Sequence, residues 1–275
     1  MKLPQQIMGK CDISLLPHPL LRGDISHYRV ALPAASRRFS EQITIVPDAS
    51  GCLVLSAFPN RLVCAFWGPM TRAVPVCNDF ANTPRLFVEF LPGGLHRLTG
   101  VDASALTDVR APLGLLDAAM EREIGELFET CGEPLLFFGG LDRLFLRRLS
   151  AVRADEPGLA LARLLRDGPI RSRRELAEQT HYSERHLDRL LRPSLGLTAK
   201  GFSRIRRINR AVLAIQRGAL PLTELAQQMG YYDQAHFGHD FKAVCGVSPG
   251  EYRRIMSGFY NERLKFSSIL DTIGE

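Results

Sequence analysis

No stretch of this sequence approaches the roughly 18 consecutive apolar residues of a membrane span. The leading segment MKLPQQIMGKCDISLLPHPLLRGD has no continuous apolar core followed by a small-residue cleavage site. The reading is therefore a cytoplasmic chain with neither a membrane span nor an export signal. Its six cysteines (Cys11, Cys52, Cys64, Cys77, Cys131, Cys245) are scattered and never form a C-x-x-C pair. That spacing argues against zinc, and the lack of an export signal argues against a disulfide framework. Ser/His/Asp, Walker-type and HExxH signals are also missing, so no enzyme is expected. Pro92-Gly93-Gly94 reads as a turn, because a phosphate-cradling loop needs a fuller glycine signature ahead of a helix.

What is present points to two domains. The chain has 275 residues, 45% hydrophobic and 23% charged, an ordinary globular profile. Residues 1–152 carry 15 Lys+Arg against 15 Asp+Glu, whereas residues 153–275 carry 20 against 14, the whole net charge of +6. A neutral front and a basic back suggest a polyanion partner for the back alone.

The front half holds short β-branched and aromatic runs: ISHYRVAL, QITIVPD, GCLVLSAF, RLVCAFWG, AVPVCNDF and RLFVEFLPGG. Pro, Gly and Asn punctuate them. Strands so closely spaced predict a sandwich or small barrel. From about Leu113 the apolar spacing becomes helical. The expected organisation is α+β: a β-rich domain with trailing helices over 1–153, a linker at 154–157, an all-helical domain over 158–257 and a tail over 258–275.

The helical part contains a repeat. ELAEQTHY (175–182) lies over ELAQQMGY (224–231) at an offset of 49, which becomes 50 after the tyrosines. Leu187 then meets Phe237, Leu191 meets Phe241, Arg192 meets Lys242 and Gly196 meets Gly246. In each copy a short helix leads through a tight turn to a second helix opening at a good N-cap, Ser183 or Asp233. Gly230 suits the left-handed turn residue. Ser172/Glu175 and Ser248/Glu251 read as capping boxes. This is the helix–turn–helix plan, whose second helix can enter a DNA major groove.

The second helices divide by face. Leu187, Leu190 and Leu191, and likewise Phe237 and Phe241, form buried stripes. Gln234, Ala235, His236, Gly238 and His239 crowd the opposite side: donors and acceptors beside very small residues, suited to base edges. Gly238, unfavourable within a helix, then makes room for a partner. TAKGFSRIRRINRAVLAIQRG reads as one connecting helix of about 30 Å, close to the roughly 34 Å turn of B-DNA. Arg204, Arg206, Arg207 and Arg210, with Arg192 and Lys242, are the candidate phosphate contacts.

These residues resemble a known family. S-x-R-H-L-x-R-L-L-R and D-Q-A-H-F-x-x-D-F-K-x-x-x-G-x-S-P-x-x-Y-R, over about residues 158–255, are similar to the DNA-binding domain of AraC-type transcription regulators. The resemblance implies base contacts from Arg185, Asp188 and Arg189 in the first unit, and from Gln234, Ala235, His236 and His239 in the second. His239 stands where many members carry Arg. Pro193 stands where the first reading helix would end, and Ala199 replaces a usual Pro. The front half resembles a β-rich, cupin-like domain accompanying some AraC-type proteins. By that resemblance it binds a small effector, forms a homodimer, or both, and the whole chain acts on promoter DNA and RNA polymerase. Activation is a family tendency that the sequence does not decide.

The cupin metal pattern is missing, since His18, His27 and His96 lie far apart, so neither metal nor other cofactor is expected. Phe66, Trp67, Arg72, Phe87, Phe90 and His96 are the candidate effector-pocket residues. Two other functions stay open: a protein–protein adaptor, and an alkylation-repair regulator with an acceptor cysteine. The second needs an activated thiol, and the strand-like surroundings of Cys64 and Cys77 argue against one.

Overall fold

Alternating apolar residues in the front half resolve into one antiparallel sheet and a smaller companion. The computed structural model describes residues 12–31, 42–58, 61–77, 83–131, 133–151, 156–169, 172–218, 220–256 and 259–260. Strands β1 (Asp12–Leu15), β2 (Ile25–Ala31), β4 (Cys52–Phe58), β5 (Arg61–Trp67), β7 (Arg85–Phe90) and β8 (Arg110–Pro112) form a six-stranded sheet in the order β1-β2-β7-β4-β5-β8. Each neighbouring pair runs antiparallel. Strands β3 (Gln42–Ile45), β6 (Val74–Cys77) and β9 (Phe259–Tyr260) form a second sheet, β6-β3-β9.

The period of two assigns the faces of the large sheet. Tyr28, Leu53, Phe66, Leu86, Val88 and Phe90 point to one face and pack against Met120, Ile124, Phe137, Leu141 and Phe145. Those partners come from helices α3 (Ala118–Thr130) and α4 (Pro134–Ala151), which follow the short α1 (Gly94–Thr99) and α2 (Leu113–Leu116). Asp117 caps α3 by accepting from the Met120 N–H. Arg29, Cys52, Trp67, Phe87 and Glu89 line a cavity on the other face.

The back half is helical: α5 (Pro157–Asp167), α6 (Arg173–Thr180), α7 (Glu184–Leu195), α8 (Ala199–Gln216), α9 (Leu222–Gln228), α10 (Gln234–Cys245) and α11 (Pro249–Ile255). Two cores hold it together. Leu161, Leu165, Leu176, Leu187, Leu191, Phe202 and Ile205 form the first. Ile208, Val212, Leu225, Phe237, Phe241 and Tyr252 form the second. Helix α8 supplies side chains to both, so it is the shared spine of the two repeats. The Phe237–Phe241–Tyr252 rings stack edge to face at 5.7 and 5.6 Å, and truncating such a buried ring to Ala costs about 3–5 kcal/mol.

Some details differ from the sequence reading. Pro193 does not end α7, which runs on to Leu195 and is capped by Gly196 at φ 73°. A proline this close to the end removes one late hydrogen bond, and the Gly196 N–H recovers the Arg192 carbonyl at 2.8 Å. Ser172 and Glu175 form a reciprocal capping box, whereas at α11 only the Ser248 half appears, accepting from the Glu251 N–H. The expected linker is shorter on its helical side, because Pro157 is already in the first turn of α5; residues 154 and 155 lie outside the described residues. Within the tail, Phe259 and Tyr260 lie alongside Thr44 and Ile45 as a parallel strand. The edge of β3 opposite β6 offers the backbone groups that make this pairing favourable.

Candidate nucleic-acid interface

Each reading helix begins at a capped turn. In the first unit α6 ends at His181, whose backbone is left-handed at φ 57°; Ser183 then accepts from the His186 N–H to open α7. In the second, Gly230 takes φ 75° and Asp233 accepts from the His236 N–H to open α10. The caps fix the entry angle of both helices and leave their first turns facing solvent.

On α10, Gln234, Ala235, His236, His239 and Lys242 are exposed. Gln234 accepts from Thr223 Oγ1 at 2.8 Å, and the His236 ring meets Tyr231 edge-on at 5.1 Å, so both are oriented from behind. A Cβ placed on Gly238 would meet nothing within 4 Å, so open space lies where the sequence called for room. On α7, Arg185, Arg189 and Arg192 are exposed, and the Arg189 guanidinium lies 3.3 Å from His186 Nδ1.

Asp188 is turned inward. Its carboxylate takes the Arg173 guanidinium at 3.0 Å and the Ala199 N–H at 3.0 Å, tying α7 to α6 and to the start of α8. A carboxylate so engaged holds the unit together and is withdrawn from the base-reading set. The same correction applies to Arg206 in the phosphate set. It is 4% exposed and donates to the Leu165 and Gly168 carbonyls, and burial lowers its pKa to about 10, helped by nearby Arg210. Arg204 pairs with Asp240 at 2.9 Å, and Arg207 lies 5.0 Å over the Tyr231 ring, so these side chains fasten α8 to the second unit.

Tyr232 escaped the sequence reading. It is 94% exposed in the turn before α10, while its neighbour Tyr231 is buried and donates to Asp240. The doubled tyrosine of GYYD was the available signal, since only one of two adjacent turn residues can face a core.

The candidate pocket residues separate. Trp67 and Phe87 line a cavity of about 70 Å³ together with Arg29, Cys52 and Glu89, under a roof of Ile45, Val46, Pro47 and Asp48. Arg29 lies 4.0 Å over Phe87, and Arg110 lies 4.0 Å over Trp67. Phe66 and Phe90 belong to the core on the opposite face, because alternation sends them there. His96 pairs with the Val101 carbonyl at 2.8 Å and the Glu156 carboxylate at 3.0 Å, and Arg72 is exposed. The Cys64 and Cys245 thiols are pushed up to about 12 by burial, which keeps them unreactive at neutral pH.

Known proteins share this geometry over part of the chain. A helix-turn-helix domain model matches residues 176–255. The HTH-type transcriptional activator AarP of Providencia stuartii is 32% identical over 90 residues, 33% of this chain and 66% of that protein. The arabinose operon regulatory protein of Escherichia coli is 27% identical over 128 residues, 43% of this chain and 44% of that protein. Over its helix-turn-helix domain the chain is similar to AraC-type regulators. Among solved structures, the C-terminal domain of AraT, a response regulator from Geobacillus stearothermophilus, is 31% identical. It covers 30% of this chain and 69% of its own, with a TM-score of 0.30. The chain thus spans two thirds or less of the curated relatives it matches, and the helix-turn-helix match lies in its helical half.

Proposed function

We propose that this protein is a sequence-specific DNA-binding transcription regulator that places α7 and α10 in successive major-groove segments. One observation carries this: two capped reading helices on a shared spine, each with an exposed polar first turn. Helix α8 has 18 residues, about 27 Å, close to the spacing of half-sites on one face of B-DNA. Arg185 and Arg189 in the first unit, and Gln234, Ala235, His236 and His239 in the second, read base edges. Arg192 and Lys242 contact phosphates, and Tyr232 joins them at the rim of the second groove.

The regulator responds to a small molecule at the cavity between the sheets. A space of about 70 Å³ is far below the roughly 300 Å³ of an ordinary ligand site, so a ligand enters by moving the Ile45–Asp48 roof. Val46 in that roof also sits in the core of the second helix–turn–helix unit. Ligand entry and the position of that unit are therefore linked. The AraC-type likeness extends the proposal to a homodimer acting on RNA polymerase in the bacterial cytoplasm.

The test is selection of duplexes from a random pool by the full chain, with and without cell metabolites, and a salt titration of the winners. The proposal predicts two boxes about one helical turn apart and a steep loss of affinity with salt. Enrichment of nothing under either condition overturns it.

A further inference from the structure

The β-rich domain holds both reading helices by their C-terminal ends. On the first unit, Thr107 Oγ1 donates to the carbonyl of Gly196, the cap of α7, at 2.8 Å. On the second, the Ala73 N–H donates to the Val244 carbonyl in the last turn of α10 at 2.6 Å. A buried contact accompanies each bond: Ala49 enters the core around Leu161 and Phe202, and Val46 enters the core around Val212 and Phe241. The opposite ends of α7 and α10, which carry the base-reading residues, stay exposed.

The two holds are tied to each other. Thr71 donates to Asp108 twice, from its N–H to Oδ1 at 2.7 Å and from its hydroxyl to Oδ2 at 2.6 Å. The Asp108 N–H returns to the Pro69 carbonyl at 2.9 Å, and the Gly68 N–H meets the Val109 carbonyl at 3.0 Å. A Cβ on Gly68 would stand 1.9 Å from the Leu106 carbonyl oxygen, so the loops touch backbone to backbone. Thr107 precedes Asp108, and Ala73 is two residues past Thr71. The clasp therefore joins the two holds into one connected path from α7 to α10 outside the helical domain.

The backbone at these contacts is unusual as well. Ala49 has φ 64° and Asp108 has φ 59°. Among the described residues only His181 shares this non-glycine conformation. L-residues hold it where the surroundings over-determine it.

We infer that Asp108 is a positioning residue for DNA recognition. Its clasp on Thr71 makes the two loops one yoke, and the yoke fixes the separation and angle of α7 and α10. Helix α8 is one connection between the units and the yoke is a second, which closes a ring. A closed ring permits fewer relative arrangements than a single spine, so the chain accepts a narrow range of spacings between its two DNA boxes. One base pair moves a box by about 3.4 Å along the axis and turns it around the duplex, which a rigid pair of helices does not follow.

The inference rests on α7 and α10 being the reading helices. Its test is the full chain on duplexes carrying the two selected boxes at their natural spacing and one or two base pairs away. Asp108→Gly deletes the carboxylate while glycine keeps the positive φ without strain. Thr71→Val deletes only the hydroxyl bond. For the wild type, a shift of one base pair is expected to weaken binding roughly tenfold, within the range of coupling between sites, and for Asp108→Gly only about threefold. Asp108→Asn, which keeps an acceptor for the Thr71 N–H, is expected to fall between. An Asp108→Gly spacing profile identical to wild type overturns the inference, and so does an equal loss at every spacing. A wild type that selects no paired boxes overturns the reading-helix assignment itself.

Discussion

His181 and Gly230 occupy the same place in the two repeats and share a left-handed backbone, φ 57° and φ 75°. Glycine adopts that conformation freely; histidine holds it against a steric penalty of about 1 kcal/mol. His181→Gly is therefore expected to keep or slightly raise stability, by up to about 1 kcal/mol, and His181→Val to lower it by at least as much. Urea denaturation of the two variants beside wild type measures this. A destabilised glycine variant would mean that the histidine ring, and not the turn, sets the joint between α6 and α7.

Gly238 separates stability from recognition. It lies within α10, and outside its own helix backbone nothing stands within 4 Å of where its Cβ would be. Gly238→Ala is thus expected to stabilise the free chain by about 0.5–1 kcal/mol through helix propensity. On selected DNA the same methyl group meets the groove, and affinity is expected to fall severalfold. Thermal melting and a binding isotherm on one preparation check both directions. Tighter or unchanged binding would show that α10 does not approach base edges at that point.

The arginines of the back half sort by what they touch. Arg192→Ala and Lys242→Ala are each expected to weaken binding to all duplexes and to flatten the salt dependence by about one unit of slope. Arg206→Met leaves the Leu165 and Gly168 carbonyls without their donor, and is expected to lower stability by about 1.5–3 kcal/mol with the salt slope intact. Salt titrations and denaturant melts of the three variants test the division.

Why Arg206 misled the sequence reading is physical. The apolar stripe Phe202, Ile205, Ile208, Val212, Ile215 was legible at helical spacing, and all five are buried. Ser203, Arg206 and Asn209 are buried beside it, because α8 is enclosed by both repeats and a single stripe underestimates its covered surface. Asp188 misled for a related reason: its place on the reading helix is set by spacing, while its partner Arg173 lies on another helix. The strands from Ile25 to Phe90 were visible because alternation, caps and turns are local. The Thr71–Asp108 clasp joins two loops, where no periodicity announces a partner.

Asp24 gives the fold a pH dependence with a definite sign. It is 3% exposed, within 3.5 Å of Arg97 and 3.8 Å of Arg163. Burial pushes its carboxyl above the ordinary 3.8, against the pull of Arg97 and Arg166. The fold therefore favours the protonated form. That contribution is complete below pH 3.8 and is lost as pH rises through the folded value. Asp24→Asn is expected to match or exceed wild-type stability at pH 7, with its advantage shrinking as pH falls toward 4. Denaturant melts across that interval measure it, and an Asn variant that loses most stability at pH 7 would contradict the sign.

The central claim is that α10 reads bases through its first turn. The direct measurement is binding of the Gln234→Ala/His236→Ala full chain to its selected duplex and to a scrambled duplex, across a salt series. The account predicts a loss of about 1–3 kcal/mol for each base contact on the selected duplex, little change on the scrambled one, and an unaltered salt slope. Equal weakening on both duplexes, or none on either, would contradict it.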